Sequence, residues 1–300
     1  MQEVSVKAFA KINLTLDITG RREDGYHLLR SIMQQIYLCD LVEVKKADDI
    51  SLKLLCDNVP GSSHEAVPAD QRNIAWKAAA LILKEAGIDS GVEITLKKSI
   101  PAAAGLAGGS TDAAAVLKAV NELYEIGYDT EKLCELGVKL GADVPFCIIG
   151  GTAMAEGIGD KLTSLPAPEK AYILLVKPPI AVSTKEVYDA YDALEAYDRD
   201  DKGGRLMDAL VDGRAYIGEV CDCLMNVLAD VTEAQHPEIK EIRSKMAEFG
   251  AEGALMSGSG PSVFGIFRDR DKAKKACDRM EELYPEAFRA VCSFANGGEE

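Results

Sequence analysis

"PAAAGLAGGSTDAAAVLKAV", residues 101–120, sets three glycines and a run of alanines directly before a helical pattern. A β-strand is predicted just ahead of it, over residues 92–101, and apolar side chains recur at helical spacing behind it. In a strand–turn–helix of this kind, unpaired backbone N–H groups and the positive end of the helix dipole point at one place. The segment is therefore predicted to hold a phosphate group.

A simpler interpretation of the same segment is a tight turn followed by a helix that Ser110 caps. That interpretation is the commoner one for a single glycine-rich loop. Here the glycines are dense, at Gly105, Gly108 and Gly109. The hydroxyls of Ser110 and Thr111 stand at the helix start, where they can bond a phosphate oxygen. These features favour phosphate, although the spacing matches neither the P-loop of NTPases nor the dinucleotide fingerprint.

A second glycine cluster, "SGSGPS", occupies residues 257–262 between two predicted strands. Alone, such a cluster is more typical of a hairpin turn than of a binding site. Because the two clusters lie in different halves of the chain, we expect an anionic ligand to be held between them.

Composition excludes several classes of function. The chain has 300 residues and a net charge of −15, which disfavours a general nucleic-acid binder because such proteins carry a basic face. No segment approaches the ~20 apolar residues of a membrane span, and no signal peptide is evident. The eight cysteines lack paired CxxC spacing, so reduced thiols in a cytoplasmic protein are expected rather than a zinc site.

Strand and helix patterns mingle along the chain, which predicts an α+β class with two domains, residues 1–160 and 161–300. Apolar residues alternate over residues 4–18, as in a half-buried strand, and this places Lys11 and Asn13 on one face about 7 Å apart. Three further expectations concern a β-hairpin over 41–55, a helix from Thr130 to Gly141, and a mobile polar loop over 196–206.

Five segments in order resemble the motifs of the GHMP kinases, named after galacto-, homoserine, mevalonate and phosphomevalonate kinase. They are "AKINLTLDITGRREDGYH" (10–27), "IPAAAGLAGGSTDAAA" (100–115), "GADVPF" (141–146), "AEGIGD" (155–160) and "LMSGSGPSVFGIF" (255–267). The likeness is greatest to members whose alcohol substrate carries cytidine diphosphate. It implies a two-domain GHMP kinase fold with the active site in the cleft between the domains, and a reaction that uses ATP with Mg²⁺.

The resemblance also implies catalytic roles for two residues. Asp143 of "GADVPF" is expected to be the general base, with Lys11 of "AKINL" beside it. An alcohol is a poor nucleophile, so a carboxylate must accept its proton, and a neighbouring ammonium keeps that carboxylate ionised. Taken without the motifs, Asp143 is an ordinary turn residue and Lys11 a solvated strand lysine.

Binding residues follow from the same resemblance. The expected ATP-binding residues are Pro101, Ala102, Ala103, Ala104, Gly105, Leu106, Ala107, Gly108, Gly109, Ser110, Thr111, Asn73 and Lys98. The expected substrate-binding residues are Asn13, Tyr26, His27, Thr184 and Tyr188. Tyr26 and Tyr188 are expected to stack on a cytosine ring, although a single tyrosine is more often a packing residue. No protein ligand for Mg²⁺ is assigned, Ser110 being a candidate, and a contact from Asn226 stays in doubt.

The chain is expected to act on a small cytidyl diphosphate alcohol, without nucleic acid or membrane, as a monomer or weak homodimer. Two other functions remain open. One alternative is a GHMP kinase for another alcohol, of the mevalonate or homoserine type. The other is a catalytically silent protein of the same fold that binds nucleotide.

Overall fold

The computed structural model describes residues 2–56, 67–194 and 200–295, which form an α+β structure. The strands are β1 (Glu3–Arg21), β2 (His27–Ala47), β3 (Ser51–Cys56), β4 (Gly91–Lys98), β5 (Thr152–Glu156), β6 (Lys161–Leu165), β7 (Tyr172–Lys177), β8 (Met225–Asn226), β9 (Gly253–Met256), β10 (Val263–Phe267) and β11 (Phe288–Ser293). The helices are α1 (Ile74–Glu85), α2 (Gly108–Leu123), α3 (Thr130–Val138), α4 (Val144–Ile149), α5 (Thr184–Tyr191), α6 (Lys202–Val211), α7 (Ile217–Cys223), α8 (Ala229–Gln235), α9 (Pro237–Glu248) and α10 (Arg270–Leu283). None of these helices is long and apolar enough to cross a bilayer.

The larger sheet is built on β1 and β2, two long antiparallel strands. Its order is β3-β4-β2-β1-β8, and β5 and β6 continue from the far end of β2. The alternation predicted for residues 4–18 holds only in the first half of β1. From Ala10 to Leu16 every side chain is buried, because the strand is covered on both faces there. The buried polar residues of this stretch, among them Lys11 and Asn13, are the ones that form the site.

The smaller sheet has the order β11-β7-β10-β9 and is antiparallel throughout. Helices α9 and α10 pack against it. The second glycine cluster connects β9 to β10, so the prediction of two strands flanking it is confirmed. The two-residue strand β8 pairs with β1 and joins the C-terminal half to the larger sheet. The division at residues 160 and 161 stays a prediction; β6, just beyond it, belongs to the larger sheet.

The β-hairpin predicted over residues 41–55 is wrong. Strands β2 and β3 lie in this segment, but β4 is inserted between them, antiparallel to β2 and parallel to β3. A parallel pair needs a long crossover connection, which α1 supplies between β3 and β4. The alternating pattern located both strands and could not tell which neighbour each one has.

Two other boundaries are also corrected. The helix expected from Thr130 to Gly141 ends at Val138, and Asp129 rather than Thr130 caps it by accepting a hydrogen bond from the Lys132 amide. Within the loop expected over 196–206, residues from Lys202 onward begin α6, while residues 195–199 lie outside the described part of the chain. The sequence Gly203-Gly204 had suggested a loop.

Candidate active site

The helix after the first glycine cluster begins without a side-chain cap. Its cap position is Ala107, and the first helical hydrogen bond runs from the Thr111 amide to the Ala107 carbonyl. The N–H groups of Gly108, Gly109 and Ser110 therefore lie in the first turn, where a helix cannot satisfy them internally. Ser110 is the third helical residue, so the interpretation in which it merely caps α2 is wrong.

Three residues of the loop adopt left-handed backbone conformations. Gly105 has φ 72°, and two alanines flank it in the same region, Ala103 at 49° and Ala107 at 59°. A left-handed conformation costs a non-glycine residue of order 1–3 kcal/mol, and such strain concentrates at ligand sites. Two strained alanines within five residues indicate that the loop conformation serves ligand binding rather than folding stability.

This loop, which we call the phosphate loop (101–110), separates two cavities. The larger, of about 540 Å³, we call the nucleotide cavity, and the smaller, of about 240 Å³, the acceptor cavity. Ala103, Gly105 and Ala107 line both of them. A phosphoryl group held at the loop is thus within reach of either cavity.

Eleven of the thirteen residues expected to bind ATP line the nucleotide cavity. Leu106 does not, because its side chain is buried in the core. Thr111 does not either, since its hydroxyl is buried and donates to the Phe9 carbonyl at 2.8 Å. The expectation that the Thr111 hydroxyl faces the phosphates is therefore wrong.

Asn73 and Lys98 line the nucleotide cavity but are bonded to the protein itself. Asn73 caps α1: its Oδ1 accepts from the Ala75 amide at 2.9 Å, and its Nδ2 donates to the Pro68 carbonyl at 2.8 Å. Lys98 is buried and ion-paired with both Asp40 and Asp112. Both residues thus brace the walls of the cavity.

The three buried ionisable side chains Asp40, Lys98 and Asp112 tie β2 and β4 to α2 beneath the phosphate loop. Asp40 also accepts hydrogen bonds from the amides of Ser99 and Ile100, the two residues that lead into the loop. Burial raises the pKa of Asp112 to about 8, against the attraction of Lys98. Burial lowers the pKa of Lys98, but the two carboxylates outweigh it and the net shift is upward.

The floor of the acceptor cavity is a chain of hydrogen bonds on β1 and β2. Lys11 Nζ donates to Asn13 Oδ1 at 2.8 Å, and Asn13 Nδ2 donates to Ser31 Oγ at 2.8 Å. Ser31 in turn donates to the Thr15 carbonyl at 2.6 Å. This chain fixes the orientation of the Asn13 amide and leaves it one hydrogen and one lone pair for a substrate. Ser31 is a residue that sequence reasoning missed.

Asp143 lies beside Lys11 at the edge of the same cavity. It precedes α4 in the turn after α3 and makes no capping hydrogen bond, so its carboxylate is free to face the cavity. Its Oδ2 is 3.7 Å from Lys11 Nζ, and its side chain is 33% exposed against 6% for Lys11. The structure therefore brings together an accessible carboxylate and a buried ammonium that sequence places 132 residues apart.

Helix α5 forms the opposite wall through Thr184 and Tyr188, two of the expected substrate residues. The Thr184 and Ser259 hydroxyls are 2.8 Å apart, which joins α5 to the second glycine loop. Burial, together with the negative charge of Asp143, raises the pKa of Tyr188 to about 12. Its hydroxyl is thus protonated at neutral pH and available as a donor.

The two glycine clusters touch each other at Gly105. A Cβ atom there would lie 2.3 Å from the Ser257 carbonyl oxygen, so only glycine allows this approach. The Ser257 hydroxyl donates to the Gly105 carbonyl at 3.0 Å. Asn226 supports the second loop, donating to the Met256 and Gly258 carbonyls at 2.8 and 2.7 Å. Asn226 is thus a brace for the loop and does not line the acceptor cavity.

The expected cytosine-binding residues form a group at the edge of the acceptor cavity, which we call the aromatic wall (Tyr26, His27 and Tyr188). Tyr188 lines the cavity, whereas Tyr26 and His27 do not. The rings of His27 and Tyr188 are in direct contact, 4.8 Å between centroids. His27 Nε2 lies 2.6 Å from Asp192, which also pairs with Arg21. Tyr26 is 63% exposed. No base fits between His27 and Tyr188 as they stand, and Asp192 was not foreseen.

The site offers few metal ligands of its own. Across residues 2–56, 67–194 and 200–295, no three His, Cys, Asp or Glu side chains cluster as a metal site. Ser110 lines the nucleotide cavity and supplies a hydroxyl oxygen. This donor set fits a Mg²⁺ ion carried mainly by phosphate oxygens and water, as is common for nucleotide-bound magnesium.

Comparison with known proteins gives concordant matches. The family model "GHMP kinases N terminal domain" matches residues 73–151, and "GHMP kinases C terminal" matches 216–286. A 4-diphosphocytidyl-2-C-methyl-D-erythritol kinase from Clostridium botulinum (strain Eklund 17B / Type B) is 46% identical over 285 residues, 95% of this chain and 98% of the relative.

Solved structures agree with these matches. A crystal structure of 4-(cytidine 5'-diphospho)-2C-methyl-D-erythritol kinase is 34% identical, with a TM-score of 0.78 over 98% of this chain and 100% of that one. A homoserine kinase from Cytophaga hutchinsonii also reaches a TM-score of 0.78, over 99% of this chain and 95% of that one. Its identity of 18% makes it evidence of the fold alone.

Proposed function

This chain belongs to the GHMP kinase family, and from that premise we propose that it phosphorylates the 2-hydroxyl of 4-diphosphocytidyl-2-C-methyl-D-erythritol with ATP, a step of non-mevalonate isoprenoid biosynthesis. The substrate is supported by the full-length likeness to kinases that carry this name. The observation that carries the chemistry is the pair Lys11 and Asp143, at an acceptor cavity divided from the nucleotide cavity only by the phosphate loop.

In this mechanism Asp143 is the general base. Its carboxylate accepts the proton of the substrate hydroxyl as the oxygen attacks phosphorus. Asp143 lines the cavity and its side chain is 33% exposed, which leaves room for that hydroxyl. ATP supplies the phosphoryl group, with Mg²⁺ neutralising part of its charge.

Lys11 has a positioning and an electrostatic role. Its ammonium is held by Asn13 and lies close to Asp143, so it favours the ionised carboxylate and attracts the negative charge that develops on the attacking oxygen. Because it is buried, water screens this attraction only weakly. Asn13, fixed by Ser31, keeps the ammonium in place and has one amide hydrogen left for the substrate.

The phosphate loop binds the nucleotide through its backbone. The first-turn N–H groups of Gly108, Gly109 and Ser110 are the donors, and the dipole of α2 adds positive potential at the same point. These local groups matter more than usual here, since a net charge of −15 repels both anionic substrates.

The test is an ADP-release assay on the purified protein with three alcohols: the cytidyl compound, mevalonate and homoserine. We expect turnover with the cytidyl compound and competitive inhibition by CMP and CDP. If kcat/KM for mevalonate or homoserine equals or exceeds that for the cytidyl compound, the proposed substrate is wrong. No ADP release with any of the three would indicate a silent nucleotide-binding protein.

Four features remain our predictions: use of Mg²⁺, a cytoplasmic location, a monomer or weak homodimer, and a domain division at residues 160 and 161. The magnesium requirement is supported by the reaction class and by the donor set around Ser110. It is tested by titrating Mg²⁺ at fixed ATP, where the rate should fall to background as the metal is chelated.

A further inference from the structure

A third cavity, of about 250 Å³, lies behind the catalytic centre. We call it the rear cavity. It is lined by residues of β1, β2, α2 and the end of α4, and it shares no lining residue with the nucleotide or acceptor cavity. It opens where β1 and β2 lose their regular pairing, between the pairs Phe9–Cys39 and Lys11–Gln35. Its volume is below the ~300–1,000 Å³ of drug-sized ligand pockets and is sufficient for a small ion.

The charge of the rear cavity is positive. Lys7 and Lys118 line it, and no aspartate or glutamate does. Lys118 is partly buried, and within the described residues it has no ion pair. Burial lowers its pKa, and the nearby groups that oppose this are the thiols of Cys147 and Cys134 rather than carboxylates. In a chain with 49 acidic and 34 basic residues, a half-buried lysine without a carboxylate is an unmatched cation.

Gln35 adds a hydrogen-bond donor to the same wall. Its Oε1 accepts from the Gly151 amide at 3.1 Å, which orients the side chain and leaves the NH₂ group as a donor. An ammonium and an amide NH₂ facing one small cavity match the acceptor oxygens of a small oxyanion. They do not match a cation, for which the cavity offers no carboxylate.

The rear cavity also contacts the two helices that carry the active site. Thr111 and Lys118 lie on α2, and Thr111 directly follows the phosphate loop. Cys147 lies one turn after Asp143 on α4. An occupant of this cavity therefore bears on both the helix that presents the phosphate-binding amides and the helix that follows the general base.

We propose that the rear cavity is a binding site for a small oxyanion of the phosphate or diphosphate class, held by Lys118 and Gln35, and that its occupation changes the turnover of the active site. The binding stands independently of the proposed function, whereas the effect on turnover rests on it.

The binding test is calorimetric titration of the full-length protein with inorganic phosphate and, separately, with diphosphate. A saturating non-hydrolysable ATP analogue is present throughout, so that the phosphate loop is already filled. We expect binding to the wild type and to Lys139→Gln, an exposed lysine of the same charge outside the cavity. Lys118→Gln should bind roughly ten-fold or more weakly, as expected for loss of a charge-assisted hydrogen bond.

Gln35→Glu is the second variant. It keeps the acceptor for the Gly151 amide and places a negative charge in the cavity, so it too should weaken binding while the melting temperature of the protein stays close to that of the wild type. Absence of binding to the wild type, or equal binding to Lys118→Gln and the wild type, overturns the site. The two titrants then decide between phosphate and diphosphate.

The regulatory part is tested by initial rates at saturating ATP with and without the oxyanion that binds. The rate should change in the wild type and in Lys139→Gln and stay constant in Lys118→Gln, whose rate without oxyanion should match the wild type. Binding without any change in rate overturns the regulation and leaves the site. A protein that turns over no alcohol overturns the proposed function, while the calorimetric result still decides the site.

Discussion

The catalytic centre and the aromatic wall meet at Tyr188 and differ in how far the folded chain has already assembled them. Lys11 and Asn13 are buried, and a continuous chain of hydrogen bonds fixes them on two central strands. Tyr26 is mostly exposed, and the rings of His27 and Tyr188 pack against each other. The centre is fixed before any ligand binds, whereas under the proposed function the wall must rearrange to stack a base.

This difference has a physical cause. Charged groups that stabilise a transition state must be fixed in advance, because reorienting them during the reaction costs the energy they supply. A base bound to an aromatic wall is held by stacking, worth roughly 1–3 kcal/mol per base. The side chains of such a wall can therefore take up their binding arrangement when the ligand arrives. For the proposed cytidyl substrate, we expect the cytosine ring to displace the contact between His27 and Tyr188.

The strongest test of the preformed centre is Asp143→Asn. Asparagine keeps the shape of the side chain but cannot accept the substrate proton, so kcat should fall by about 10²–10⁴-fold while ATP affinity is unchanged. Steady-state kinetics and ATP-analogue titration measure the two quantities. Asp48→Asn, in the exposed turn between β2 and β3, removes an equal charge and should leave both unchanged. A loss in kcat below about ten-fold would exclude Asp143 as the base.

Lys11→Met should have the next largest effect. Methionine fills the buried position without a charge, so the ion pair and the bond to Asn13 are both lost. We expect kcat to fall roughly 100-fold, as for loss of one preorganised electrostatic group, with ATP affinity nearly intact. Lys45→Met, on the exposed surface of β2, is the matched control. An equal loss of ATP affinity would show that Lys11 binds nucleotide, and Lys11 would then not belong to the catalytic centre.

Tyr26→Ala tests the other side of the comparison. If the exposed ring stacks on cytosine, its removal should raise KM for the cytidyl substrate about 5- to 150-fold, the range that 1–3 kcal/mol of stacking corresponds to. The kcat and the melting temperature should hardly change, because the ring packs on little else. Tyr216→Ala is a matched control, since Tyr216 is equally exposed at 63% and lies at the start of α7, away from the wall. An unchanged KM would remove Tyr26 from the substrate site.

Sequence reasoning recovered the parts of this molecule that depend on local chemistry. The strand–glycine–helix order located the phosphate loop, and the even-position alternation located β1. Sequence reasoning could not find Ser31, Asp192 or the partners of Lys98, because these contacts join segments that are far apart in the chain. Strand partners are long-range in the same way, which is why the 41–55 hairpin was wrong.

The same distinction explains the errors at Thr111 and at the 196–206 loop. A hydroxyl at a helix start can point to a ligand or back to the protein. That of Thr111 donates to the Phe9 carbonyl, beside the bulge in β1. Gly204 lies in the first turn of α6, where its amide donates to Asp201 Oδ1 and a Cβ atom would lie 2.3 Å from the Asp201 carboxylate. Neither reason is visible in one segment alone.

Asp112→Asn is expected to have the smallest effect. It tests how the buried Asp112 side chain beneath the phosphate loop contributes to the pH dependence of folding stability. Folding raises the pKa of Asp112 to about 8 from 3.8, chiefly through burial, so between these values the folded chain keeps a proton that the unfolded chain has released. The stability that this proton contributes is greatest below about pH 4, declines as pH rises, and is lost above about 8. Urea unfolding at pH 5, 6, 7 and 8 should therefore show a smaller decline in midpoint for Asp112→Asn than for the wild type. Asp48→Asn should keep the wild-type slope, and parallel slopes for all three proteins would mean that Asp112 folds as a charged group paired with Lys98.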